Sequence, residues 1–187
     1  QRIGWEGEEF CFDNERPAHL YHLTPYRLAT RPVTQGEYLE FIEAGGYQNP
    51  MLWLSDGWDL VQREGWQAPL YWERDGDRWL AFTLQGMQEL HEMEPVCHLS
   101  HFEADAYARW KGARLPTEFE WENAVRRMRQ QPASEISQLT GFGQVWEWTS
   151  SAYLPYPGFR PFSGGFAEYN GKFMSGQMVL RGGSFAS

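Results

Sequence analysis

Histidines, cysteines and a crowd of aromatic rings are the side chains of this sequence with chemistry to offer. His19 and His22 form one H-x-x-H pair, and His98 and His101 form a second. A metal site needs three or four converging ligands of suitable type. Glu92, Glu94 and Glu103 lie close in sequence to the second pair, so a histidine–carboxylate site is one reading. The other is hydrogen-bonded structural histidines. His101 falls in the first turn of a capped helix and His98 in the loop before it, and such a join does not hold both rings on one face. Cys11 sits between Phe10 and Phe12, and Cys97 follows Pro95-Val96. Such apolar surroundings predict buried, inert thiols. Gly164-Gly165 and Gly182-Gly183 lack the lysine or the spacing of a phosphate loop, and no G-x-S-x-G elbow is present.

The rings gather towards the C-terminus: Trp146, Trp148, Tyr153, Tyr156, Phe159, Phe162, Phe166, Tyr169 and Phe173. A cluster of this kind can cage a quaternary ammonium, at roughly 0.5–2 kcal/mol per good contact. It can equally fill a core, since Trp and Tyr bury large area with few rotamers. Trp146 and Trp148 are expected in the core. Phe166 and Tyr169 stand in a Gly-rich loop, where binding and packing are both open readings.

Three helices can be read with a mechanism, because each opens on a capping box. Thr34-Gln-Gly-Glu37 precedes Tyr38, Phe41 and Ile42 on one face, and Gly45-Gly46 stops the helix. Ser100-His-Phe-Glu103 precedes Phe102, Ala106 and Trp110, with Gly112 as the stop. Thr117-Glu-Phe-Glu120 precedes Trp121, Ala124, Val125 and Met128, and the helix should fade at 130–132. Strands are expected at 70–73 and 78–83 around the turn Asp75-Gly-Asp77, and at 144–149 and 178–181. The stretch 126–139 is polar and reads as a mobile loop or a place where residues are missing. The fold class is α+β: irregular and loop-rich, with short strands, about three helices, and aromatics plugging the core. No linker splits 32–187.

Composition excludes several classes. A chain of 187 residues with 42% apolar content and 17% aromatic content is not disordered. Sixteen basic against 25 acidic residues give a net charge of −9, a poor match to nucleic acid. No apolar stretch approaches the 18 or more residues of a membrane span. The start, Gln1 to Glu9, is polar and acidic, so no signal peptide is expected. The chain opens on Gln1 and stops at Ser187, and both ends are expected to be cut.

Arg114-Leu-Pro-Thr-Glu-Phe-Glu-Trp-Glu122, Gln144-Val-Trp-Glu-Trp-Thr149 and Arg181-Gly-Gly-Ser184 resemble signatures of the formylglycine-generating-enzyme/sulfatase-modifying-factor (FGE-sulfatase) family. Phe12-Asp-Asn-Glu-Arg-Pro-Ala-His19, Arg31-Pro-Val-Thr-Gln-Gly-Glu37, Pro69-Leu-Tyr-Trp72, Tyr156-Pro-Gly-Phe159 and Glu168-Tyr-Asn-Gly-Lys-Phe-Met174 resemble one branch, the ergothioneine-biosynthesis sulfoxide synthases (EgtB-like). The resemblance covers nearly the whole chain. It implies an FGE-like fold related to C-type lectins, with residues 1–187 forming one FGE-sulfatase-like domain. It implies a cytoplasmic enzyme using non-heme iron(II) and O₂. Such enzymes join the sulfur of cysteine or γ-glutamylcysteine to the imidazole of Nα-trimethylhistidine (hercynine), giving a sulfoxide. Hercynine carries a quaternary ammonium, which gives the ring cluster a concrete ligand.

In the family, three histidines on an N-terminal DinB-like helical domain hold the iron, typically in an H-x3-H-x-E context. No H-x3-H occurs here, so the resemblance is to the C-terminal domain, with the DinB-like domain as its partner. The family chain also continues past the RGGS turn. Alone, this chain is expected to be inactive. Carried over residue by residue, Tyr169 matches a family tyrosine near the hercynine carboxylate. Phe166 falls where another branch has a tyrosine that takes part in sulfoxidation, a role Phe166 cannot fill without a hydroxyl. Glu147 matches an acid near a structural calcium, whose other ligands are largely backbone carbonyls. Arg181 reads as a structural hydrogen-bond donor. Two alternatives stand beside this reading. A formylglycine-generating oxidase needs a cysteine where Ser187 stands. A non-catalytic lectin-like binding module shares the fold.

Overall fold

The computed structural model describes residues 1–130, 143–164 and 170–184. Along the chain these form β1 (Arg2–Ile3), β2 (His19–Leu20), α1 (Gln35–Glu43), α2 (Ser55–Glu64), β3 (Trp72–Asp75), β4 (Arg78–Thr83), β5 (Gly86–Glu89), α3 (His101–Trp110), α4 (Glu118–Arg129), β6 (Trp146–Ala152) and β7 (Met178–Gly182). Short 3₁₀ turns lie between them. β1 pairs with β2, and β3, β4 and β5 form a three-stranded sheet, all antiparallel; β6 pairs with β7. This is the irregular α+β class expected. Most of the polar stretch 126–139 falls outside the described residues.

All three capping boxes form. Thr34, Ser100 and Thr117 each accept from the third helical N–H, and Glu37, Glu103 and Glu120 each reach back to the N-cap N–H. The helix count needs correcting, because α2 is a fourth helix among the described residues. Leu54 stands at its N-cap, where no side chain accepts a hydrogen bond, so its start lacks a capping side chain and keeps only the acidic Asp56 of the first turn. Its stop is conventional: Gly65 adopts φ 67° and returns its N–H to Val61. The strand β5 was likewise not expected; it continues the hairpin of β3 and β4 with Phe82 opposite Met87.

The chain forms two compact units. One comprises Gln1–Ala29, Pro116–Gln138 and Trp148–Arg181; the other comprises Thr30–Leu115, Leu139–Glu147 and Gly182–Ser187.

In the second unit the core is aromatic. Tyr38, Phe41, Tyr47, Trp53, Trp72 and Tyr107 are buried together with Val61, Val96 and Ala106. Tyr38 stacks on Tyr107 at 5.4 Å and meets Phe41 edge-on at 5.3 Å. Rings at such offsets add to the apolar area they bury. Helix α1 presents the expected face. Helix α3 lays the expected Phe102, Ala106 and Trp110 against this core, Ala106 buried and the other two half-buried, and it also buries Glu103 and Tyr107. The buried Glu103 carboxylate accepts from the Tyr47 hydroxyl at 2.6 Å.

In the first unit the buried side chains are mostly polar: Asp13, Glu118, Glu120, Asn123 and Thr149, beside Ile3, Cys11 and Tyr156. Burying such groups is tolerated only when they are hydrogen-bonded or paired. The apolar stripe expected on α4 is only half-buried, and its polar face goes inside instead. β6 departs from expectation in the same way. Thr149 is buried, Glu147 and Ser151 on the same strand face are half-buried, and Trp146 on the opposite face is 51% exposed. Trp148, on the same strand face as Trp146, is half-buried. Among the described residues no helix is long and apolar enough to cross a membrane.

Candidate functional site

The polar interior of the first unit is built on α4. Glu118 and Glu122 lie four residues apart, so the helix stacks them on one face. Both accept from Arg181 Nη2, at 3.1 and 3.0 Å, and the same nitrogen donates to the Tyr156 hydroxyl at 2.7 Å. Tyr156 in turn donates to Glu118 Oε2 at 3.1 Å. Glu122 Oε1 accepts from Arg126 Nη2 and from Gly4 N–H, each at 2.8 Å. Two carboxylates thus face two guanidinium groups, and the cluster is close to neutral. Burial lifts the Glu118 carboxyl above its ordinary range, with Arg181 and Tyr156 pulling it back down. Burial likewise raises the Tyr156 phenol. With its charges paired, the cluster anchors the signature 114–122 to the RGGS turn. Arg181 donates to Glu118, Glu122 and Tyr156.

A second set of contacts lies on the turn Asp13–Glu15. Asp13 is 3% exposed. Its Oδ1 accepts from Asn170 Nδ2 at 2.6 Å and its Oδ2 from Phe162 N–H at 3.4 Å. Asn170 Oδ1 accepts from the Tyr153 hydroxyl at 3.2 Å, and its Nδ2 lies 3.5 Å from Asn14 Oδ1. The motifs 12–19 and 168–174 therefore meet, joined by a short charge-assisted hydrogen bond. Neither Asp13 nor Asn170 had been singled out. Both sit inside quoted motifs, and a carboxylate between Phe12 and Asn14 was the available signal.

The expected site residues divide as follows. Phe166 and Tyr169 lie outside the described residues. Glu147 is half-buried on the inward face of β6. Among the described residues no group of three or more His, Cys, Asp or Glu could hold a metal ion, so these side chains do not fit an iron centre. His19 packs on Tyr156 at 4.7 Å and Phe119 at 5.8 Å. Its Nδ1 faces the Pro17 carbonyl at 3.2 Å, so Nδ1 carries the proton, and the buried Nε2 has no hydrogen-bond partner among the described residues. His98 adopts φ 61° and meets Tyr71, itself at φ 72°, edge-on at 4.9 Å. Both cysteines are free; Cys11 is buried and accepts from Arg16 Nε at 2.8 Å, and Cys97 is half-buried, its thiol pushed up by burial and by Glu94. Chemically, the described side chains can hold, orient and neutralise; they assemble no nucleophile–base pair.

The motifs that close this interior define the class. The chain belongs to the sulfatase-modifying factor enzyme 1-like domain family, whose model matches residues 3–137. Among individual proteins, it is 39% identical over 220 residues to hercynine oxygenase of Mycolicibacterium smegmatis, covering 96% of this chain and 50% of that protein. It is 37% identical to hercynine oxygenase of Mycobacterium tuberculosis, with the same coverage of 96% and 50%. It is 28% identical to ergothioneine biosynthesis protein 1 of Schizosaccharomyces pombe, over 95% of this chain and 24% of that protein. The chain thus spans about half the length of the two hercynine oxygenases it matches.

Proposed function

We propose that this chain is the substrate-holding part of an iron(II)- and O₂-dependent sulfoxide synthase of ergothioneine biosynthesis. The observation that carries this reading is the bond between Asp13 and Asn170, which brings together two of the motifs that resemble that branch. The names of the three relatives support the same pathway.

The reaction joins a thiol to an imidazole carbon: one S–H and one C–H are lost, O₂ is consumed, and a sulfoxide and water are formed. Iron supplies the activation of O₂. Its ligands lie outside the described residues, on a DinB-like domain in this proposal. The present residues act on the substrate. Tyr169 contacts the hercynine carboxylate, and Phe166 adds an aromatic wall without a hydroxyl to give a proton. The ring-rich stretch receives the trimethylammonium group by cation–π attraction, roughly 0.5–2 kcal/mol per ring. Glu147 is a ligand for a structural calcium. The protein works in the cytoplasm.

The test is turnover by the full-length protein, loaded with iron(II), with hercynine and either cysteine or γ-glutamylcysteine under air. Mass spectrometry of the products should find a sulfoxide containing both substrates. Failure with both sulfur donors, or equal turnover with unmethylated histidine, would overturn the assignment.

A further inference from the structure

A cavity of about 350 Å³ lies in the first unit, between the segments 2–7 and 16–18. Its volume falls in the range of small-molecule sites, about 300–1,000 Å³. The two segments come together at Gly4, where a Cβ would stand 3.0 Å from Ala18 Cα and from the Glu15 carbonyl oxygen. Their backbone is fixed from two sides. Arg126 donates to the carbonyls of Arg2 and Gly4, and Trp5 N–H donates to the Glu15 carbonyl at 2.8 Å.

Arg2, Glu6, Arg16 and the ring of Trp5 line this cavity. The Arg16 guanidinium is oriented by two bonds, from Nε to Cys11 Sγ at 2.8 Å and from Nη2 to the Gly7 carbonyl at 3.1 Å. Its third nitrogen, Nη1, makes no hydrogen bond among the described residues. Arg2 meets Glu6 through Nε and Oε1. Its outer nitrogens and Glu6 Oε2 are without a hydrogen bond among the described residues. The indole of Trp5 donates from Nε1 to the Glu9 carbonyl at 3.3 Å. It lies against Gly7, where a Cβ would stand 2.5 Å from Trp5 Cζ2, and it is 37% exposed. Free guanidinium donors, one free carboxylate oxygen and an open ring face therefore share one cavity. On a chain of net charge −9, that cavity carries two positive charges and one negative.

Each group selects part of a ligand. Guanidinium donors pair with a carboxylate, whose two oxygens match their fork. A carboxylate oxygen pairs with an ammonium, and an indole face takes a second ring in offset stacking. We propose that this cavity binds a free aromatic α-amino acid, with its carboxylate on Arg16 and Arg2, its ammonium on Glu6 and its ring on Trp5. None of these four side chains takes part in the substrate reading above, so the two stand or fall separately.

Calorimetric titration of the full-length protein with L-phenylalanine, L-alanine and 3-phenylpropionate tests this. L-Phenylalanine is expected to bind with a Kd of about 1 mM. L-Alanine lacks the ring and 3-phenylpropionate lacks the ammonium, and each should bind at least about threefold more weakly. Arg16→Gln should weaken L-phenylalanine about tenfold. Arg16 also holds Cys11 and Gly7, so should that variant fail to fold, two others decide the matter. Trp5→Ala should bring L-phenylalanine down to the affinity of L-alanine and leave L-alanine within about twofold. Glu6→Gln should weaken L-phenylalanine about threefold without weakening 3-phenylpropionate. No binding of L-phenylalanine at about 10 mM would overturn the proposal. So would binding that Trp5→Ala and Glu6→Gln leave unchanged, or 3-phenylpropionate or L-alanine binding as tightly as L-phenylalanine.

Discussion

The Tyr47 hydroxyl donates to Glu103 Oε1 at 2.6 Å inside the aromatic core of the second unit. The other carboxylate oxygen accepts from Ser100 N–H at 2.7 Å, so one side chain both caps α3 and ties it to the core. Burial raises the Glu103 carboxyl above its ordinary value, while the bonds from Tyr47 and Ser100 pull it back. A raised carboxyl contributes stability that is fully present below the ordinary value and is lost as pH rises through the folded one. Tyr47→Phe removes a bond that favours the charged form, so its cost of about 1–3 kcal/mol should widen between pH 4 and pH 7. Urea unfolding at the two pH values checks this, and an equal loss at both would contradict it.

Arg31 and Glu37 give the opposite sign. The Arg31 guanidinium donates to both Glu37 oxygens, at 2.8 and 2.9 Å, and with the Thr34 N–H holds that carboxyl down at about 2. A depressed carboxyl adds stability above its ordinary value of 4.5, lost as pH falls toward 2. Both side chains are at least a third exposed, so solvent screening reduces the worth of the pair to about 0.5 kcal/mol. Arg31→Ala should therefore lower the melting temperature slightly at pH 7 and have less effect at pH 3. A larger drop at pH 3 would refute the assignment.

Arg181 should be the least replaceable cation of the first unit. Arg181→Met leaves Glu118 without its ion pair and Glu122 with Arg126 alone, at a cost of about 3 kcal/mol. Adding Glu118→Gln should recover part of that loss, because the stranded charge is removed. Denaturant midpoints measure both steps; an Arg181→Met protein as stable as wild type would show that the cluster contributes nothing.

Gly57 lies inside α2, where alanine would ordinarily stabilise a helix by about 0.5–1 kcal/mol. A Cβ placed there would stand 2.7 Å from Phe102 Cβ and Cγ. Gly57→Ala should therefore destabilise by about 1–3 kcal/mol, as overpacking does. Combining it with Phe102→Ala should relieve part of that, because Cγ is removed while Cβ stays. Thermal melts of the two proteins decide, and a stabilised Gly57→Ala would mean that Phe102 yields at no cost.

Local chemistry was legible and long-range chemistry was not. Thr34, Ser100 and Thr117 announced three helices because a capping box is complete within four residues. Leu54 announced nothing, and α2 was missed. The inward side of β6 was misjudged because Trp146 looked like core, whereas the interior there takes Thr149. A polar interior has no hydrophobic period to read: Glu118 and Glu122 become buried only because Arg181, some 60 positions away, arrives to pair with them. Asp13 and Asn170 were written in the motifs, but their meeting is a property of the fold. Tyr169 and Phe166 rest on resemblance alone.

Arg126 donates to the carbonyls of Arg2 and Gly4, and Glu122 accepts from Gly4 N–H, 118 positions earlier in the chain. A ribosome adding about 5–20 residues per second needs roughly 6–24 s to cover that distance. During that interval the run from Thr30 to Leu115 is already complete and able to gather its rings. β1 waits for α4, a helix made much later, so the segment Arg2–Gly4 is fixed only after the run that follows it has been made.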